Sequence, residues 1–383
     1  MMLTRRDMLS GVLAAGAVPL IGKAAMAGAD GGGGLGAGTA APQPTLFAAS
    51  RMETDGSCAA VLFTEAGDAA RLALPARGHD LTFRPHSREC VVFARRPGTF
   101  AGVFADDGRA PLWFKAAEGR HFDGHGVFST DGRLLYSSEN DFTGDASRGV
   151  IGVRDAGQDY RLIGEFASAG MDPHDMALLS DGRTLVVANG GIETDPETGR
   201  IPLNLATMEP ALAYIDAATG DVIERHVLAS SLHKLSIRHL ALAAGDLVVF
   251  GCQYEGPAAD FPPLIGFHRR GEVPMLVEAP KEVHRDLKNY IGSVAADASG
   301  TIIAASAPKG GLMTFWDAES RRYLGEKRLA DGCGVSGTEA PGDFVLTSGA
   351  GQVLEHNPVQ GFGRALDISA WHGASWDNHV VRL

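Results

Sequence analysis

The chain has 383 residues, 45% hydrophobic, 21% charged and 7% aromatic, which is the composition of a folded globular protein and not of a disordered one. A net charge of −12 argues against nucleic acid as a partner, because no basic excess exists to neutralise phosphates. Four cysteines rule out a disulfide-built scaffold, and no long apolar run follows the N-terminal segment, so no membrane span is expected.

The N-terminus reads as an export signal. Arg5-Arg6 stands directly before an apolar, Gly- and Ala-rich run over 11–21, and Ala25-Met26-Ala27 fits the small-x-small cleavage rule. An arginine pair in that position reads as a twin-arginine signal over 1–27, the alternative being an ordinary secretory signal that happens to hold two arginines. Such a signal is an address and not an anchor. It predicts a periplasmic protein exported already folded. Residues 28–44, Gly-rich and then Ala-Pro-Gln-Pro, read as a flexible linker.

From 45 to 383 the sequence is one repeated unit. Helical periodicity is nearly absent. Short apolar or alternating runs are separated by turn signals such as Asp107-Gly108, Asp131-Gly132, Asp181-Gly182 and Arg270-Gly271. Glycine, at 50 residues without a G-X-Y period, supplies many tight turns. Residues 125–166 show the unit: strands at 126–129, 134–138, 150–154 and 160–166. The same grammar recurs from His79, His174, His239, Ser293 and Cys333, giving six complete units. The seventh is split: 378–383 has the character of a first strand, and 45–50, 58–64 and 71–74 supply the other three. Roughly 48 residues per unit suits four-stranded blades. The prediction is an all-β, seven-bladed β-propeller whose last blade is closed by the two termini, which removes open sheet edges.

Aligning the starts of the seven first strands puts His79, His125, His174, His239, Ser293, Cys333 and His379 at one position. First strands line a propeller's channel, so these side chains are predicted to meet at one height around the axis. With 13 histidines in the chain, five in seven such slots is a pattern and not an accident. Imidazoles and a thiolate suit iron, copper or zinc. His79, His125, His174, His239, Cys333 and His379 are therefore candidate metal ligands, with iron or copper the expected ion. The competing reading is a polar plug, in which the histidines bond carbonyls of neighbouring blades and water. The width of a sevenfold channel counts against a shared ion.

The loops leaving the second strands surround the same opening. Among them Glu139, Asn189, Gln253, Glu255 and Lys309, with Arg238 beside His239, are candidate ligand-binding residues. The longest insertion, 192–210, is a candidate lid or partner contact. No G-x-S-x-G elbow, H-E-x-x-H, Walker loop or C-x-x-C-H occurs in the sequence. Cys58 and Cys90 lie on sequentially adjacent blades and could pair if geometry allows.

Five stretches, Gly119-Arg120-His121-Phe122-Asp123-Gly124-His125-Gly126, 185–192, Leu235-Ser236-Ile237-Arg238-His239-Leu240, Gln253-Tyr254-Glu255-Gly256 and Trp376-Asp377-Asn378-His379, resemble the bacterial exported-propeller family catalogued as domain of unknown function 1513. That resemblance implies a propeller over essentially the whole mature chain. It also implies periplasmic partners of the imelysin-type and di-haem peroxidase-like kinds and a role in iron or other metal acquisition. It supplies no catalytic residues. The expectation is a non-enzymatic propeller that binds a metal, a metal complex or a partner protein at a His-lined mouth. One rival is a lactonase-like hydrolase, with a hub cation held by Glu139, Asn189 and Glu255 and His125 or His174 as base. The other is a pure interaction scaffold.

Overall fold

The structure is a computed structural model, and it describes residues 44–144 and 146–383. The proposed signal at 1–27 and most of the linker lie outside the described residues. From Phe47 onward the strands form seven four-stranded antiparallel sheets. In chain order these are blade 1 (78–115), blade 2 (120–167), blade 3 (173–227), blade 4 (235–277), blade 5 (293–328), blade 6 (332–365) and blade 7. Blade 7 takes its innermost strand, Ser375–Arg382, from the C-terminus and its outer three from 47–74. Phe47 pairs Arg382 and Arg51 pairs Trp376 across this seam. The split seventh unit expected from the sequence is the one observed.

Strand chemistry follows position within the blade. Second strands such as Cys90–Ala94, Thr184–Asn189 and Ile302–Ala307 are buried along their whole length, because a neighbouring blade covers each face. Outermost strands such as Arg161–Ala167 and Val222–Val227 have no fully buried residue, because their edge meets solvent. The turns work as their residues require. Asp131 and Asp181 accept the amides of Arg133 and Arg183 through their side chains, at 3.0 and 2.9 Å. Apolar side chains between blades make the core. At the closing seam Phe63 packs edge-on against Trp371, and Trp371 against Trp376, with ring centroids 5.4 and 5.5 Å apart. The four cysteines are free, Cys58 and Cys90 included.

One feature of the strands sets the site. Six of the seven first strands are interrupted by a register shift against their second strand at or beside the aligned position. The shift spans Gly78 to Leu81, Phe122 to Gly126, Pro173 to Asp175, Ile237 to His239 and Gly332 to Val335. In the C-terminal strand the break falls between Trp376 and Val380 in its pairing with the N-terminal strand. Only blade 5, which carries Ser293, pairs without a break. A bulge leaves its extra residues unpaired and bends the strand, which re-aims side chains. Here it turns both a histidine and a neighbouring charged residue toward the axis: His79 with Asp80, His125 with Asp123, Arg238 with His239, Asp377 with His379.

Candidate metal centre and the mouth above it

The five histidines converge. Ring centroids of His79, His174, His239 and His379 close a loop with sides of 5.7, 4.9, 5.0 and 4.7 Å. His125 touches all four, at 5.0, 4.9, 5.8 and 4.7 Å. All five are buried. The wide channel expected to keep them apart is filled instead, because the bulged strands carry the rings inward. Two overlapping triads result, His79/His125/His174 and His125/His239/His379, each with nitrogens within 4.8 Å of one another. An ion about 2.1 Å from each nitrogen needs separations no larger than about 4.2 Å, so the triads must tighten to hold one.

Hydrogen bonding sorts these rings. His125 Nδ1 lies 3.1 Å from Asp80 Oδ2 and 3.3 Å from Asp175 Oδ1. His79 Nδ1 reaches Asp377 Oδ1 at 3.4 Å, and Asp377 also accepts from Arg77 and Arg95. Among the described residues these ring nitrogens find no partner: Nε2 of His125 and His379, Nδ1 of His174, and both of His239. Among the described residues, none of the five rings bonds a backbone carbonyl of another blade, which is what the carbonyl version of a polar plug required. The unpartnered nitrogens of His174, His239 and His379 offer lone pairs to an ion, whereas His125, hydrogen-bonded to its carboxylates through Nδ1, would have to shed a proton from Nε2 before ligating. The donor set, all imidazole nitrogen, suits iron, copper, nickel or zinc better than calcium.

Charge divides the cluster in the same way. Burial holds His79, His174 and His239 well below the usual imidazole range and His379 at about 4, so all four are neutral. Burial opposes charge on His125 too, but the carboxylates of Asp175 and Asp80 outweigh it and raise its pKa to about 10. His125 is an imidazolium shared by two carboxylates, with four neutral rings around it. That state excludes it as a general base near neutral pH.

Two cavities meet this plug. The first, about 210 Å³, is lined by His79, His174 and His239 at the hub and by Arg95, Arg96 and Arg238 around them. Gln253 and Glu255 also face it, as do Ile192, Arg200 and Pro202 from the 192–210 insertion. The second, about 270 Å³, lies further along the first strands, where Asp80, Asp175, Ser293, His239 and His379 line it. Asp172 is wholly buried between Arg96 and Arg238 and pairs with both. Asp123, also wholly buried, lines the mouth and accepts from Asn140 at 2.8 Å. Burial, and then the neighbouring Asp172 carboxylate, push the Asp123 pKa far up, so it is a protonated acid.

Four of the sequence candidates lie elsewhere. Cys333 shares the aligned position but turns into the seam with blade 7, where its Sγ contacts the carbonyl oxygens of Trp376 and Asp377 at 3.4 and 3.3 Å. Burial raises its pKa to about 12, so it is a thiol and no ligand of the imidazole group. Glu139 points into blade 2, where Arg154 at 2.7 Å and Ser137 at 2.7 Å occupy one of its oxygens. Asn189 spends its amide on the Ser168 carbonyl at 2.9 Å. The oxygen ligands required by the hydrolase reading therefore do not assemble; of that set only Glu255 lines the mouth. Lys309 stands behind the wall, with its Nζ 4.3 Å over the ring of Tyr290. Arg238, Gln253 and Glu255 are where they were expected. The residues that sequence reasoning missed are Asp80, Asp175, Asp123, Asp172, Asp377 and Arg200. Two were legible in principle: Asp80 and Asp175 directly follow aligned histidines.

A third possible metal group, Glu224, His226 and His268 on blades 3 and 4, is already satisfied. His268 bonds the Tyr214 hydroxyl through Nδ1 at 2.6 Å and the Glu272 carbonyl through Nε2 at 2.9 Å.

Fold and site together define a seven-bladed propeller whose channel is closed by buried imidazoles. The family model described as "Protein of unknown function (DUF1513)" matches residues 72–383, and the chain belongs to that family. No curated protein matches it. Among solved structures, hydrazine synthase of Kuenenia stuttgartiensis is similar over 88% of this chain and 100% of that chain, with a TM-score of 0.58 and 12% identity. At that identity the likeness concerns the fold alone.

Proposed function

We propose that this protein is a non-enzymatic, periplasmic metal-binding propeller that holds iron or copper on its hub imidazoles in metal acquisition. One observation carries the reading: five buried imidazole nitrogens without protein partners meet on one axis, with carboxylates behind two of the rings. Export already folded through the twin-arginine route suits a protein that acquires its ion before or during export. The implied imelysin-like and di-haem peroxidase-like partners suit the same pathway. Elemental analysis of protein isolated from the periplasm, followed by titration of stripped protein with Fe(II), Cu(II) and Zn(II), tests it. About one ion per chain is expected, with affinity lost in a His125→Ala, His239→Ala double variant. Failure of all three ions to bind stripped protein ends the metal reading.

A second reading rests on the insertion. Ile201 and Leu203 are 61% and 51% exposed on the loop that borders the mouth, which suits contact with a partner protein. Replacing both with serine is then expected to abolish partner capture and leave metal uptake intact.

A further inference from the structure

The mouth carries the opposite charge from the molecule around it. The chain is acidic overall, at −12, yet four guanidiniums line this one cavity: Arg95, Arg96, Arg200 and Arg238. Their counter-charges are too few. Asp172 serves both Arg96 and Arg238, and Asp377 serves Arg95 together with Arg77. Arg200 has no ion pair among the described residues; its Nε and Nη2 donate to the Arg96 carbonyl oxygen, at 3.1 and 2.8 Å. Burial, and then the crowding of Arg95, Arg96 and Arg238, lower its pKa to about 10. Arg238 is buried, lines the cavity, and has an Nε without any partner. The second oxygen of Asp123 on the same wall is also unpartnered. Glu255 is the one carboxylate on the wall without a salt bridge.

We propose that this mouth binds a small multivalent oxyanion, a polycarboxylate or a phosphate, gripped by Arg95, Arg200 and Arg238 directly above the hub imidazoles. Planar guanidiniums match carboxylate and phosphate oxygens in paired hydrogen bonds. The cavity admits a ligand of citrate size and not a protein segment. Arg200 is supplied by the 192–210 insertion and not by a blade, so the grip depends on that loop lying over the mouth. The proposal goes beyond the metal reading and does not depend on it. If both hold, the cargo is a metal carried as its anionic chelate.

Calorimetric titration of the full mature chain tests this. The protein is stripped of metal on a chelating resin, because soluble polycarboxylate chelators are themselves candidate ligands. Citrate, inorganic phosphate and the neutral control glycerol are titrated separately at low and high salt. Saturable one-to-one binding of citrate or phosphate that weakens with salt is expected, with no heat from glycerol. Preference between the two anions names the source. Arg200→Ala is expected to lower the affinity at least about tenfold, the loss that one charge-assisted contact represents, with Arg200→Lys in between. Arg200 lies on a loop, so this variant spares the blades; an unchanged melting curve verifies that. Absence of binding by both anions, or equal affinity in Arg200→Ala, overturns the proposal. Metal titration of the same preparation reads the hub separately, so failure of one site is distinguishable from failure of the other.

Discussion

His125 sits where the hub's competing demands meet. Four neutral rings surround it, and two carboxylates on Nδ1 keep it charged. The pH dependence of folding follows from the two kinds of histidine. For the four neutral rings the folded pKa lies below the unfolded value of about 6.5, so the unfolded state binds more protons once pH falls below that. Their contribution is full above about pH 6.5 and is lost toward about 4, the value held by His379. Each such ring costs up to about 1.4 kcal/mol per pH unit in that window. His121, also lowered to about 4 by burial, acts with the same sign. Asp123, raised by burial, opposes them with one proton. For His125 the sign is reversed: its contribution is full below about 6.5 and declines as pH rises toward 10. Metal-free protein should therefore be most stable near neutrality and destabilise steeply on acidification from pH 6.5 to 5, as urea melts across pH will show; a flat profile would mean the rings are not buried and neutral. Removing the carboxylates isolates the cause of the charge. In an Asp80→Asn, Asp175→Asn variant the His125 pKa should fall by several units, read by NMR of histidine-labelled protein.

At the scale of the strand, the bulge is the device that makes the site. Gly124, just before His125, shows its geometric demands. Its φ is 104°, and a Cβ there would come within 2.5 Å of the His79 ring. Gly124→Ala thus combines backbone strain with a clash at the hub, and should destabilise the protein by about 2–4 kcal/mol, with a lowered midpoint in thermal melts. The blades themselves were legible before any coordinates, because strand period and turn chemistry are local properties of the chain. The bulges were not. A register shift exists only between two paired strands, and no single stretch such as Pro173-His174-Asp175 declares it. The same limit explains Cys333: it occupies the aligned slot, but its bulge spans Cys333 and Gly334, and the thiol turns into the seam instead.

At the scale of the whole molecule, the ring is held shut by one strand. Ser375–Arg382 pairs with Phe47–Met52 and carries Trp376, Asp377 and His379 into seam and hub. Trp376→Ala should cost about 3–5 kcal/mol, since the indole is fully buried against Phe63 and Trp371. Deleting 375–383 removes the closure outright and leaves two edges open, and should yield aggregated protein without a cooperative melt; a soluble, cooperatively folding truncation would refute closure by this strand.

The amino-acid sequence by itself determined the number of blades, the split seventh unit and the alignment of five histidines, because each depends on periodicity along the chain. Closing the ring decided the rest. It brought Asp80 and Asp175 from different blades to one ring nitrogen, led Glu139 and Asn189 away from the mouth, and laid Arg200 over it. These are contacts between stretches far apart in sequence, and their geometry exists only once seven separately patterned sheets share an axis.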